Sequence, residues 1–302
     1  MAMKIGVIGT PNKDTLILPD KRKTASWGGV IYNILPLAHY LRKDGAVLPI
    51  CAVGEEVLAD FLGLLRKYNN ILFEGIKSCA QKHNRVTLNC VSQTEKEETA
   101  ELNLPPLTFE QIQNHLQGLD FLIINFTSGR DLEKETLRKV RLAYRGRILL
   151  DVHSLTLSDP DAKGRRRLRM LRDWQEWLEG MDFVQLTWEE ANSLIGQNET
   201  SVAGLVEVAD WLLQHGTSGV IVTRGARGAF YFHADEQGIL KEEIPSFPIQ
   251  TLVDTTGCGD VFSAAFVYHL LIWGGGGLES LTFANRAAAL KATFSGIGPW
   301  VA

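Results

Sequence analysis

Chemistry in this chain concentrates in Asp254-Thr255-Thr256-Gly257-Cys258-Gly259-Asp260, which runs straight into the apolar segment Val261 to Trp273. Two glycines let the backbone approach a ligand closely and take φ values that other residues resist. The segment that follows reads as a helix, so its free amide N–H groups and positive dipole end face the glycine turn. Such a turn is a site for an anion, most often a phosphate. Asp260 sits beside it, and a carboxylate next to a phosphate pocket is electrostatically unfavourable unless it removes a proton or holds a metal. Helix capping, a common use of Asp, is the plainer role for the same residue.

The full run, continued by Val-Phe-Ser-Ala-Ala-Phe, closely resembles the C-terminal signature of the ribokinase-like (PfkB) family of small-molecule kinases. The resemblance implies that Asp260 is the base that takes the proton from a substrate hydroxyl. It implies also that the amides of Gly257, Cys258 and Gly259 form the anion hole for the γ-phosphoryl group of Mg-ATP. Phosphoryl transfer needs mainly positioning and charge stabilisation, with a carboxylate to orient and deprotonate the nucleophile, so the physics agrees.

Further segments follow the family in order. Gly9-Thr10-Pro11-Asn12-Lys13-Asp14 resembles the opening motif, in which Asp14, with Asn12 beside it, would bind substrate hydroxyls; a carboxylate can accept two hydrogen bonds from a vicinal diol. A turn Asp ordering its own loop is the alternative. In Trp27-Gly28-Gly29-Val30-Ile31-Tyr32-Asn33, opening a helix, Gly28, Gly29 and Asn33 would line the substrate pocket. Tyr32 departs from the family, which has a small residue there. In Thr187-Trp188-Glu189-Glu190, Glu190 would act through water on magnesium, although Thr187 replaces the family's Asn; Thr187 and Glu190 also suit a capping box. Thr223, Gly225 and Gly228 resemble the nucleotide segment, where a bare β-hairpin would fit equally, and Asn285 matches a position near the adenine in relatives.

Three features carry less. The basic run Lys163 to Arg172 is expected to be a solvated helix face rather than a partner for an anionic substrate. Asp151-Val152-His153 ends a strand where the resemblance places an Asp-x-Asn-like element, so His153 is expected to reach substrate, and no partner spacing supports a metal role. Cys258 is expected to act through its backbone, since relatives have Ala or Cys there.

The elements that must position these residues alternate. Apolar strand-like runs at Lys4–Gly9, Ala46–Val53, Phe121–Phe126, Arg147–Val152, Asp182–Thr187 and Gly219–Thr223 are separated by helical spacing at Val30–Lys43, Val57–Asn69, Leu132–Tyr144, Arg165–Leu178 and Val202–Gln214. Strands apolar throughout, alternating with helices, argue for a parallel sheet covered on both faces, with ligands at the carboxyl ends of its strands. Two runs, Arg85–Val91 and Thr99–Leu104, flank a polar stretch in hairpin fashion. The resemblance implies an α/β fold of three α/β/α layers with a mainly parallel central sheet. It implies a small β-sheet lid from residues of about 11–27 and 71–104, within a single domain spanning 1–302. Gly274–Gly277 should let the chain reverse between two C-terminal helices.

At 302 residues, with 45% hydrophobic and 22% charged residues, the chain has enough apolar content for a sizeable core. A net charge of −4 argues against general nucleic-acid binding. The longest near-apolar run is too short to span a bilayer, and the N-terminal sequence lacks signal-peptide character. Four cysteines without CxxC or zinc spacing fit reduced thiols in the cytoplasm. The expected activity is ATP-dependent phosphorylation of a hydroxyl on a small sugar. A nucleoside kinase, with Trp27 and Tyr32 stacking on a base, and a catalytically silent sugar- or nucleotide-binding relative stay open. So do a homodimer paired through its lids and activation by a monovalent cation, toward which the resemblance places Asp254.

Overall fold

The computed structural model describes residues 2–17, 21–90, 96–196, 201–236, 238–274 and 276–301. The strands are β1 (Met3–Ile8), β2 (Pro11–Ile17), β3 (Lys23–Gly29), β4 (Gly45–Gly54), β5 (Ile76–Cys79), β6 (Arg85–Cys90), β7 (Lys96–Glu101), β8 (Phe121–Asn125), β9 (Arg147–Asp151), β10 (Phe183–Thr187), β11 (Gly219–Thr223), β12 (Ala229–Asp235) and β13 (Gly238–Ile244). The helices are α1 (Ile31–Leu41), α2 (Glu55–Leu65), α3 (Phe109–Ile112), α4 (Lys134–Ala143), α5 (Trp174–Leu178), α6 (Trp188–Ile195), α7 (Val202–Gln214), α8 (Cys258–Ile272), α9 (Gly277–Lys291) and α10 (Gly298–Val301).

Nine strands form the main sheet in the order β13-β12-β11-β10-β9-β8-β1-β4-β5. Neighbours are parallel from β5 to β11, and only β12 and β13 are antiparallel. Each central strand supplies two apolar layers by alternation. Phe121 and Ile123 pack toward α1 and α8, whereas Leu122 and Ile124 pack toward α4 and α7. A strand covered by helices on both faces has to be apolar at every position, which is why these runs read as continuous.

The chain leaves β1 toward β4 on one side and later returns to β8 on the other. The carboxyl ends of β1 and β8 therefore border the crevice where the strand order reverses, the usual place for a ligand. Buried Asp131 fixes its rim by accepting the amides of Thr10 (2.7 Å), Ser128 (3.0 Å) and Gly129 (3.1 Å). Over the crevice lies the second sheet, β3-β2-β6-β7. Of the expected lid stretch 71–104, Ile76–Cys79 joins the main sheet beside β4, so the lid takes only β6 and β7 from it. The second lid strand ends earlier than its sequence suggests, because Asn84 Oδ1 takes the amides of Asn103 (2.7 Å) and Leu104 (2.9 Å) out of the ladder. Residues 91–95, in the polar stretch expected between the two hairpin strands, and Gly275, in the expected glycine loop, lie outside the described residues.

One expected element is absent. Of Arg165–Leu178 only Trp174–Leu178 is helical. A helix would have stacked Arg165 and Arg169 at i,i+4, where like charges repel. Instead the segment runs back antiparallel, with Ser158 N–H bonded to Arg167 O at 2.8 Å and Arg169 N–H to Thr156 O at 2.8 Å. Nor is the basic run wholly solvated. The Arg166 side chain is 3% exposed, pairs with Glu98 on β7 at 3.3 Å, and donates to the carbonyls of Ser128 (2.9 Å) and Ser158 (3.1 Å). It thereby ties the lid to the rim. Among the described residues no helix is long and apolar enough to cross a membrane, and Cys51 and Cys79 form no disulfide.

Arg166→Met should cost about 3 kcal/mol in urea unfolding, the lower end for a buried ion pair losing one partner, because Glu98 retains some solvent. A loss below about 0.5 kcal/mol, the usual range for surface changes, would show that the lid docks without this contact.

Candidate active site

Gly257 sets the site. It stands at φ 81° in the left-handed region as the N-cap of α8, and a Cβ there would strike the Tyr32 ring. Only glycine satisfies both conditions. The Cys258 amide turns back to Thr255 O at 3.2 Å, and Val261 N–H begins the helical ladder on Gly257 O at 2.9 Å. Among the described residues the amides of Gly257 and Gly259 meet no acceptor, so two of the three expected N–H groups remain for an anion at the positive end of the helix.

Asp260 lies in the first turn of α8, 5% exposed. Its Oδ1 accepts from Asn125 Nδ2 at 2.6 Å, while its main-chain carbonyl accepts from Asn33 Nδ2 and Ser263 Oγ, each at 2.9 Å. Asn125 Nδ2 also donates to Asn33 Oδ1 at 2.9 Å. Asn33 is thus fully buried, with its amide holding the Asp260 turn from behind. Gln185 Nε2 on β10 supports the same turn, donating to Gly259 O (2.9 Å) and to Asp151 Oδ2 (2.8 Å). Sequence reasoning missed Asn125 and Gln185. The signal was a lone amide within an otherwise apolar strand run, a place where a buried polar group must have a partner.

Asp14 approaches from the lid. A Cβ on Gly28 would overlap its carboxylate, and a Cβ on Gly29 (φ 57°) would strike Thr10 O, so the paired glycines make room for the acid and for the turn into α1. Asn12 is buried and its Oδ1 has no partner, as is true of Asn125 Oδ1 and Gln185 Oε1. An unmet buried acceptor costs about 1–3 kcal/mol.

The cleft is acidic. Burial, then the charges of Glu98 and Asp260, push the Asp14 carboxyl well above its usual range. Burial does the same to Asp151, helped by Glu190 and Asp260. His153 stands at φ 39° beside them. Its burial favours the neutral ring, but Asp260, Asp151, Glu190 and Glu98 outweigh that and raise its pKa. Carboxyl groups buried and crowded in this way hold their protons more tightly, so the cleft offers hydrogen-bond partners to a hydroxyl-rich ligand, with the α8 turn as its anion-binding corner. Trp27 and Tyr32 offer it no stacking surface. Trp27 is enclosed by Phe61, His83 and Lys13, whose ammonium lies 3.9 Å from its ring centroid, and Tyr32 is covered by Gly257 and Lys291.

Thr187 and Glu190 form the capping box: Glu190 N–H donates to Thr187 Oγ1 at 3.1 Å and Thr187 N–H to Glu190 Oε2 at 2.8 Å. That occupies one carboxylate oxygen and leaves Oε1. Burial lifts the Glu190 pKa to about 7, despite the opposing pull of His153 and the Thr187 amide. A carboxylate so placed fits a cation. Among the described residues no three His, Cys, Asp or Glu side chains cluster closely enough to hold a metal, so any ion here needs further oxygens from a ligand and water. Thr223 ends β11, and Gly225 (φ 56°) and Gly228 (φ 83°) turn the chain into β12 as a hairpin. A Cβ on Gly228 would meet Ile244 O, and Asn285 Nδ2 donates to Pro245 O in the segment that follows β13, so these residues shape one rim together.

The raised Glu190 pKa has a definite sign. A carboxyl that holds its proton more tightly when folded stabilises below its unfolded pKa near 4.5 and loses that contribution as pH rises through about 7. Ligand-free protein should therefore melt progressively lower from pH 5 to 8 than Glu190→Gln, which keeps the capping box without the titration. Parallel melting curves for the two proteins would refute the assignment.

The model of the pfkB family carbohydrate kinases matches residues 3–299. The chain is 28% identical over 122 residues to the bifunctional ribokinase/ribose-5-phosphate isomerase A of Fructilactobacillus sanfranciscensis, covering 40% of this chain and 22% of that protein. It is 26% identical over 230 residues to a putative 1-phosphofructokinase of Mycoplasma pneumoniae, covering 73% of this chain and 68% of that one. The match thus spans only about a fifth of the bifunctional relative's length. In fold it is similar to the Arabidopsis thaliana ribokinase complexed with ribose and ATP, with a TM-score of 0.76, 18% identity, and coverage of 100% of this chain and 96% of that one. With nearly every residue inside the family match, and a mainly parallel nine-stranded sheet under a separate four-stranded lid, the chain belongs to the pfkB family of carbohydrate kinases.

Proposed function

We propose that the protein transfers the γ-phosphoryl group of Mg-ATP to a hydroxyl of a small, uncharged sugar. The observation that carries this reading is Asp260, fixed by Asn125 through Oδ1 in the same helical turn as the unmet amides of Gly257 and Gly259. Oδ2 takes the proton of the acceptor hydroxyl. The resulting alkoxide attacks the γ-phosphorus, the bond to the β–γ bridging oxygen breaks, and ADP departs with that electron pair. The two amides receive the charge that spreads over the phosphoryl oxygens. Asp14 and Asn12, on the lid strand, orient the remaining hydroxyls, with Gly28 and Gly29 leaving room for them. Bound magnesium would screen the donor phosphates, held through water by the free oxygen of Glu190. Thr223, Gly225, Gly228 and Asn285 shape the rim assigned to the nucleotide.

Two features favour a neutral sugar over the other acceptors. The buried Asp14 carboxyl, set near Glu98 and Asp260, suits hydroxyls rather than a phosphate, and the enclosed rings of Trp27 and Tyr32 leave no platform for a nucleobase. A silent binder would have no use for a base held this tightly.

Asp260→Asn should leave ATP affinity within about threefold and lower turnover by about 10³-fold, within the range for loss of a general base. ADP release measured with neutral pentoses, hexoses and cyclitols, with sugar phosphates and with nucleosides identifies the acceptor. Turnover retained by the variant would remove Asp260 from the role of base, and preference for a sugar phosphate would overturn the neutral-substrate reading.

A further inference from the structure

Lys291 closes α9 and is fully buried, which lysine rarely is without partners. Its ammonium donates to the carbonyls of Phe294 (3.1 Å) and Asp254 (3.3 Å) and lies 3.9 Å from Asp254 Oδ2. The ring centroids of Phe294 and Tyr32 stand 5.1 and 5.5 Å away. Main-chain oxygens, one carboxylate and two aromatic faces are the surroundings that a desolvated monovalent cation needs.

This cup is joined to the anion turn. Asp254 faces Lys291 with Oδ2, and with Oδ1 it accepts the Thr256 amide (2.9 Å) and hydroxyl (2.7 Å), one residue before Gly257. The amides of Val253 and Asp254 both bond Ala292 O, at 2.8 and 3.2 Å, which fastens the same strip of chain to the end of α9. Tyr32, the large residue unexpected at its position, covers Gly257 and the ammonium at once.

We propose that the Lys291 ammonium is a built-in monovalent cation: it holds the Asp254–Gly257 turn in its anion-binding shape and makes the protein independent of potassium or sodium. Lys291 is a positioning residue, since it acts on the transferring group through Asp254. Its effect on turnover rests on the kinase reading above, whereas its hold on the turn does not.

The test compares chloride salts of potassium, sodium, ammonium and tetramethylammonium at constant ionic strength. Wild-type protein should show the same thermal midpoint within about 1 °C in all four, since no free cation binds the native state, and turnover constant within about twofold. Lys291→Ala opens an oxygen-lined cavity. It should melt lower and lose about 10-fold in kcat, a coupling of ordinary size for a positioning contact, with acceptor KM little changed. Potassium or ammonium, but not tetramethylammonium, should then raise both its midpoint and its kcat. Lys291→Met fills the stem volume without charge and should stay slow in every salt. Potassium activation or stabilisation of the wild type overturns the proposal, and so does a Lys291→Ala protein indifferent to the cation. If that variant does not fold, the wild-type salt series still decides. If no acceptor is turned over at all, the melting series continues to report on Lys291 while the kinase reading falls.

Discussion

The proposed reaction needs an anion and a carboxylate to share the first turn of one helix, although each repels the other. The head of α8 resolves this by geometry. The unmet amides of Gly257 and Gly259 belong to the turn, while Asp260 is held to one side by Asn125, with its main chain anchored by Asn33 and Ser263. In a partly desolvated cleft such fixed dipoles act without reorganising when charge moves, which is where most stabilisation of phosphoryl transfer originates. The rest of the site supports that arrangement: Gln185 from below, Tyr32 against Gly257, and the Lys291–Asp254 contact from behind.

Positive charge meets the acids at two points: His153, raised in pKa first by Asp260 and then by Asp151 and Glu190, and the Lys291 ammonium, which faces Asp254. The lid adds acid rather than base, through Asp14 and Glu98, and Arg166 engages Glu98 while gripping the rim carbonyls. On the proposed reading the two ligand roles are separated within one crevice, hydroxyls toward the lid and phosphate toward α8.

Much of this was legible in order and type. The alternating apolar runs specified a parallel sheet, because strands covered on both faces admit no polar alternation. The paired glycines before α1 and the turn before α8 were legible because only glycine tolerates their φ values and close contacts. Where reading failed, a local pattern competed with a distant partner. The arginine run had helical length, but Arg166 found carbonyls on two loops and Glu98 on the lid, and the backbone followed it. Asn33 reads as lining the pocket, yet Asn125, 92 residues away, takes its amide oxygen into the core.

What the amino-acid order determined alone was chemistry that needs only neighbours in the chain: the glycine turn, the acid beside it, the capping box at Thr187 and the apolar periodicity. Those depend on φ, ψ and spacing, which are local quantities. What only tertiary structure decided was which buried polar groups meet: Asn125 with Asp260, Gln185 with Gly259, Lys291 with Asp254. Such pairings join residues from 37 to 135 positions apart, and the cost of leaving a buried donor unmet is settled only when separate elements pack.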